Sequence, residues 1–135
     1  MIDKRKFYID GSWVKPSKIN DFQVINPSNE EHLATISLGY EEDTNAAVNA
    51  AKNSFIKWKE TSKEERIILL ENLLKIYSKR FDEMSNTISM EMGAPIDWSS
   101  SAQTASGQSH LEDFILRLKD FNFEEHFDLK SNNHI

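Results

Sequence analysis

The sequence contains no cysteine. That absence removes a disulfide framework, a thiolate nucleophile and a cysteine zinc site from this chain. Glycine is scarce as well, and the four present, Gly11, Gly39, Gly93 and Gly107, stand far apart. A nucleotide-binding loop needs closely spaced glycines so that backbone can approach phosphate, so neither a Rossmann nor a Walker fingerprint is present. No apolar run approaches the roughly 20 residues of a bilayer span. The basic start MIDKRKFYIDG is not followed by the apolar stretch of a secretory signal. Positive charge is in deficit, with 16 basic against 22 acidic side chains and a net charge of −6, which opposes non-specific phosphate binding. These absences exclude nucleic acid and membrane as expected partners and make the cytoplasm the expected location. The 135 residues suit one ordinary domain.

What is present begins with alternation. Phe7, Ile9 and Trp13 flank Asp10-Gly11, a dipeptide that tolerates positive φ and suits a tight hairpin turn. Phe22, Val24 and Ile25 run into Asn26-Pro27-Ser28-Asn29, and Leu33, Thr35, Ile36 and Leu38 resume the pattern. Proline fixes φ early in that turn, and Ser28 and Asn29 offer local side-chain hydrogen bonds. The pattern predicts four short strands within about 7–38.

Helical spacing then takes over, predicting helices over about 44–119. Asp43 is a candidate N-cap. Ala47, Ala51, Phe55 and Trp58 share one face of the first helix. Ser62 with Glu65 three residues on forms a capping box for the second. Leu69, Leu70, Leu73, Leu74 and Tyr77 are its expected buried stripe, widened by Ile67, Ile68 and Ile76, while Lys75, Lys79 and Arg80 suit the negative end of its dipole. Phe81, Met84, Ile88 and Met92 mark a third helix closed by Gly93. Pro95 is expected in the first turn of a fourth, whose later half carries Leu111, Phe114, Ile115 and Leu118. Its earlier half, from Ser99 to Gln108, is polar and small, a surface suited to lying against backbone or lining a cavity. Phe121, Phe123 and Phe127 sit among acidic residues near the terminus and call for a partner.

Candidate chemistry is sparse. His32, His110, His126 and His134 lack zinc spacing. Ser99, Ser100 and Ser101 stand outside any GxSxG elbow. The pairs Glu41-Glu42, Glu64-Glu65 and Glu124-Glu125 read as capping and solubility groups. Glu91, just before Gly93, is the one carboxylate placed to help hold a cation, with carbonyl oxygens or water completing the set.

Several stretches in order resemble the N-terminal part of the aldehyde dehydrogenase superfamily. YIDGSWV resembles its opening hairpin, and VINPSNEEHLATIS its Asn-Pro turn and returning strand. DTNAAVNAAKNSFIKWKETSKEER is similar to its first helix and the start of the second, and ISMEMGAP to its Glu-x-Gly-x-Pro segment. The resemblance covers residues 7–120 and implies an α/β family fold. Residues 1–135 would then be a β-hairpin region followed by about four helices, an incomplete coenzyme-binding domain. The implied activity is oxidation of an aldehyde to a carboxylic acid with NAD or NADP, through a cysteine thiolate, a glutamate-activated water and an asparagine-assisted oxyanion hole. The family places these groups after the segment seen here. The resemblance therefore assigns this chain no catalytic and no coenzyme-binding residue, and the chain alone is expected to be inactive and to bind no coenzyme. It implies a monovalent-cation site at the backbone oxygens of Val24 and Ile25 and the carboxylate of Glu91. It also implies that Ser106 faces the substrate tunnel. Ala94 stands where many members have lysine. The expected partners are the remainder of a dehydrogenase polypeptide or other subunits of an oligomer, with a small aldehyde as substrate. The alternative is a stand-alone α+β protein-interaction module without catalytic activity. Helix faces without their sheet should make the chain associate or stay partly molten.

Overall fold

The Asp10-Gly11 pair forms the turn its chemistry favours. In a computed structural model, which describes residues 2–127, Asp10 takes φ 51° and Gly11 φ 74°. Strands β2 (Phe7–Ile9) and β3 (Ser12–Val14) pair antiparallel across it, Tyr8 opposite Trp13. The residues numbered 131–135, His134 among them, lie outside the described residues.

Five strands form rather than four. The additional one, β1 (Ile2–Lys4), pairs parallel with β5 (His32–Ser37), and β4 (Asp21–Ile25) pairs antiparallel with β5 on its other side. The three-stranded sheet therefore runs β1-β5-β4, and the β2-β3 hairpin stands apart from it. β1 is only three residues long and carries two charges, so its strand character comes from its neighbour rather than from its own pattern. The β4–β5 register shifts between Val24 and Ile25, a bulge that bends the strand into the Asn26-Pro27 turn.

Helix α1 spans Glu41–Trp58 and begins earlier than expected. Tyr40 holds the N-cap position, and Asp43 is the third helical residue rather than the cap. Its carboxylate reaches back to accept the Tyr40 N–H at 2.9 Å, which satisfies an end group from inside the helix. Helix α2 (Lys63–Lys79) starts as its sequence predicts: Ser62 Oγ accepts from Glu65 N–H at 3.1 Å, and Glu65 Oε2 accepts from Ser62 N–H at 2.8 Å. Helix α3 (Phe81–Met92) ends at Gly93, whose φ of 72° is the left-handed conformation that closes helices.

The fourth helix departs from expectation. Pro95 precedes it, at extended ψ, instead of sitting in its first turn. A single turn, α4 (Ile96–Trp98), leads into a π-helical segment, Ser99–Thr104, and then into α5 (Ala105–Asp120). Within the π segment Ser99 and Thr104 are fully buried, and α3 buries Ser85 against them: Ser85 Oγ donates to Thr104 Oγ1 at 3.0 Å. The small polar face thus lies against another helix.

The expected stripes are only partly covered. Ile115 and Leu118 of α5 are buried and Leu70, Leu74 and Tyr77 of α2 half-buried, whereas Leu69, Leu73, Ile68, Ile76 and Phe114 are exposed. On α3, Phe81 and Ile88 are half-buried, Met84 and Met92 are exposed, and the buried residue is Ser85. The α1 face of Ala47, Ala51, Phe55 and Trp58 is exposed throughout. Helices predicted from periodicity form, but much of the surface that periodicity marks for burial is exposed among the described residues.

Candidate functional site

The Asn26-Pro27 turn is built by its first residue. Asn26 N–H donates to Glu31 O at 2.9 Å, its carbonyl accepts from Glu30 N–H at 2.8 Å, and its Oδ1 accepts from Ser28 N–H at 2.9 Å. Glu30 adopts φ 61° to complete the reversal. The C-terminal end of α3 sits directly on this turn. A Cβ added to Gly93 would lie 2.8 Å from Pro27 Cγ, so glycine is required by the contact as well as by φ. Ser89 Oγ donates to Ala94 O at 2.7 Å and fixes the chain as it leaves the helix.

This contact brings together the segments that carry Val24, Ile25 and Glu91. Val24 is half-buried at the bulge, Ile25 is exposed one step nearer the turn, and Glu91 is exposed on the last turn of α3. Ser106 lies at the start of α5, exposed, with its hydroxyl donating to Ala102 O at 2.7 Å on its own helix. His32 Nε2 lies 2.9 Å from Ala34 O and 3.2 Å from Thr35 Oγ1, a local role. Among the described residues no group of three or more His, Asp or Glu side chains is arranged to hold a metal ion. No described helix is long and apolar enough to cross a membrane.

Two polar clusters were not legible as sites in the sequence. In the first, the buried carboxylate of Asp43 ties the segment after the hairpin to α1. Besides Tyr40 N–H, it accepts from Ser17 N–H at 2.8 Å and Ser17 Oγ at 2.9 Å, while Lys18 pairs with Glu42 at 2.7 Å. The Tyr40 N–H holds the Asp43 carboxyl below its ordinary range against the opposing push of burial, and the Ser17 donors and the Lys18 charge reinforce it.

In the second cluster, Arg5 spans the sheet. Its Nε and one terminal nitrogen donate to Asp3 at 3.0 and 2.8 Å, and the other terminal nitrogen donates to Asp21 at 3.2 Å. These bonds join the two edge strands over the end of β5. The Arg5 side-chain hydrogen bonds, assisted by its backbone N–H, lower the Asp3 pKa from 3.8 to about 2. The alternation of Asp3 and Arg5 was the available signal, but Asp21 is paired only by the fold.

On the helical side, an open apolar groove of about 290 Å³ runs between Trp58, Leu69, Leu70, Phe114, Leu118 and Phe123. The Arg66 guanidinium lies 5.4 Å from the Trp58 ring centroid and 5.9 Å from that of Phe123, and lines the groove with them.

The aldehyde dehydrogenase family model matches residues 13–134. The chain belongs to that family. Among similar proteins, 3-succinoylsemialdehyde-pyridine dehydrogenase of a Pseudomonas species is 40% identical over 126 residues, covering 93% of this chain and 26% of that protein. A putative aldehyde dehydrogenase of Staphylococcus saprophyticus is 37% identical over 120 residues, covering 89% of this chain and 25% of its own length. A crystal structure of aldehyde dehydrogenase from Bartonella henselae superposes with a TM-score of 0.94 at 51% identity, over 98% of this chain and 28% of that one. Aldehyde dehydrogenase C of Pseudomonas syringae, solved with NAD+ and octanal, superposes with a TM-score of 0.89 at 31% identity, over 92% of this chain and 26% of that one. This aldehyde dehydrogenase-family chain thus has the fold of the family's N-terminal region, strands followed by helices, and spans about a quarter of the length of the relatives it matches.

Proposed function

We propose that this chain serves as the N-terminal part of the coenzyme-binding domain of an NAD(P)-dependent aldehyde dehydrogenase, and that it is inactive by itself. The observation that carries this reading is the superposition on the Bartonella henselae enzyme at 51% identity, over nearly all of this chain but only 28% of that one. The absence of cysteine from the sequence agrees with it, because the family's chemistry needs a thiolate. The apolar groove and the open face of α1 are then surfaces for the remainder of a dehydrogenase polypeptide, within an oligomer in the cytoplasm. NAD or NADP would supply the hydride acceptor for oxidation of a small aldehyde.

Within that assembly, the backbone oxygens of Val24 and Ile25 and the carboxylate of Glu91 would hold a monovalent cation. Three observations support the fit. The donors are hard oxygens, the Gly93–Pro27 contact joins their two segments, and a helix C-terminus brings partial negative charge. Ser106 would line the substrate tunnel, where its exposure leaves the hydroxyl accessible.

The test is aldehyde-dependent NADH formation, followed by absorbance. The purified 135-residue chain is expected to give none. Co-expression with the remainder of the Bartonella henselae enzyme, lacking its matching segment, is expected to restore the activity. Cysteine-independent NADH formation by the chain alone would overturn the reading, as would a soluble remainder that fails to bind it.

A further inference from the structure

We infer that the cleft between the β1–β2 and β3–β4 connections binds a small amphiphilic anion, a carboxylate carrying a short apolar body. The cleft encloses about 590 Å³, within the size range of small-molecule sites. Its charge is opposite to that of the chain as a whole. The protein carries a net charge of −6, yet four basic side chains line this cleft against two acidic ones. Both acidic residues, Asp3 and Asp21, are already bound to Arg5. The ammonium groups of Lys4, Lys6 and Lys15 have no ion-pair partner among the described residues. Arg5 uses three of its five N–H groups in the clamp, which leaves two for a further acceptor.

The inner wall of the cleft is closed at Ser37. Ser37 closes the central strand opposite Asp21, is 7% exposed, and lines the cleft. Its Oγ is the one buried side-chain oxygen or nitrogen without a hydrogen-bond partner among the described residues. That oxygen is itself buried, so it lies behind the cleft wall, and the cationic side chains are the groups that face a ligand. The apolar part of the lining sets the rest of the chemistry. Trp13, Pro16 and Ile19 form one side, with Trp13 and Ile19 strongly exposed. A bare anion would leave that wall wet, whereas an anion with an apolar tail covers it.

The experiment is isothermal titration of the chain carrying Leu69→Glu/Phe114→Glu, which removes the adhesive groove between α2 and α5, with hexanoate, and with 1-hexanol and inorganic phosphate as parallel arms. Saturable hexanoate binding is expected, at least ten-fold stronger than either of the others and weakened by added salt. The double variant Lys6→Gln/Lys15→Gln, both exposed positions, should lose about ten-fold in affinity, roughly what 1.4 kcal/mol represents. Ser37→Ala, which removes a buried hydroxyl from behind the wall, should leave hexanoate affinity unchanged while raising the melting temperature. No saturable binding would overturn the inference. So would hexanol or phosphate binding as tightly as hexanoate, or lysine variants that bind unchanged. None of these outcomes bears on whether the chain belongs in a dehydrogenase.

Discussion

Tyr77 Oη donates to the carbonyl of Thr104 at 2.9 Å, where the π-helical segment passes into α5. The bond reaches across from α2 and lies against Gly107, where an added Cβ would sit 2.4 Å from Tyr77 Oη. A widened helical turn, a missing side chain and a phenol from another helix occupy one place. The glycine is there for packing, since its φ is unexceptional while its contact is very close.

Gly107→Ala is therefore expected to destabilise. Alanine gains about 1 kcal/mol of helix propensity over glycine. Overpacking against a half-buried ring costs about 1–3 kcal/mol, so the clash should win. Tyr77→Phe alone should cost about 1 kcal/mol for the lost hydrogen bond. In the Tyr77→Phe background, Gly107→Ala should be near neutral, because the nearest remaining ring atom is 3.0 Å away and can give. Urea titrations of the four proteins measure the coupling, and strict additivity would refute it.

At Gly93 two constraints coincide. Gly93→Ala places a side chain at φ 72° and against Pro27. Left-handed strain of about 1–2 kcal/mol is expected from the backbone alone. Gly93→Asn, which ordinarily relieves such strain, should fail here because its Cβ meets the same proline. Pairing it with Pro27→Ala should recover part of the loss. Thermal melts of the single and double variants would show whether conformation or contact dominates.

Acid stability should separate two aspartates. Both have folded pKa values below their unfolded ones, Asp43 through backbone and serine donors and Asp3 through Arg5. Each therefore contributes stability that is fully present above an unfolded pKa of about 3.9 and lost as pH falls through the folded value. For Asp3 that window extends down to about 2. Asp3 is exposed, so salt near 1 M, with a Debye length of about 3 Å, should collapse its shift. Asp43 is buried among fixed donors, so its shift should persist. Carboxyl carbon chemical shifts followed against pH at low and high salt test this, and equal salt sensitivity would contradict it.

The open groove between α2 and α5 should make the isolated chain adhesive. Phe114, Leu69 and Phe123 are exposed around it. Strong binding of an anilinonaphthalene dye and concentration-dependent association on size exclusion are expected. Leu69→Glu/Phe114→Glu should reduce both. A sharply melting monomer that binds no dye would count against the expectation.

Local signals were legible in the sequence wherever the physics acts within a few residues. The Asp10-Gly11 turn, the Ser62–Glu65 box and the Gly93 stop all follow from φ preferences or end-group pairing over at most four positions. Signals that depend on distant partners misled. Asp43 suggested a cap because an acidic residue near a helix start usually is one, yet Ser17 and Tyr40 draw it into the first turn. Met84 and Met92 suggested burial, but α3 buries Ser85 against Thr104, a polar contact that no hydrophobic pattern announces. Of the residues implied as a cation site, the fold joins the segments through Pro27 and Gly93, a contact encoded only as isolated turn residues.

The sequence by itself determined where chain reversals and helix ends fall, and the order of segments that places the chain in its family. Those features come from backbone preference and short-range hydrogen bonding, which are nearly independent of context. Tertiary structure alone decided that β1 joins β5 in parallel, that Arg5 clamps Asp3 to Asp21, and that Tyr77 meets Thr104 over Gly107. Each of the three needs groups separated by long stretches of chain. Their energy appears only once other contacts have already offset the entropy of bringing those groups together.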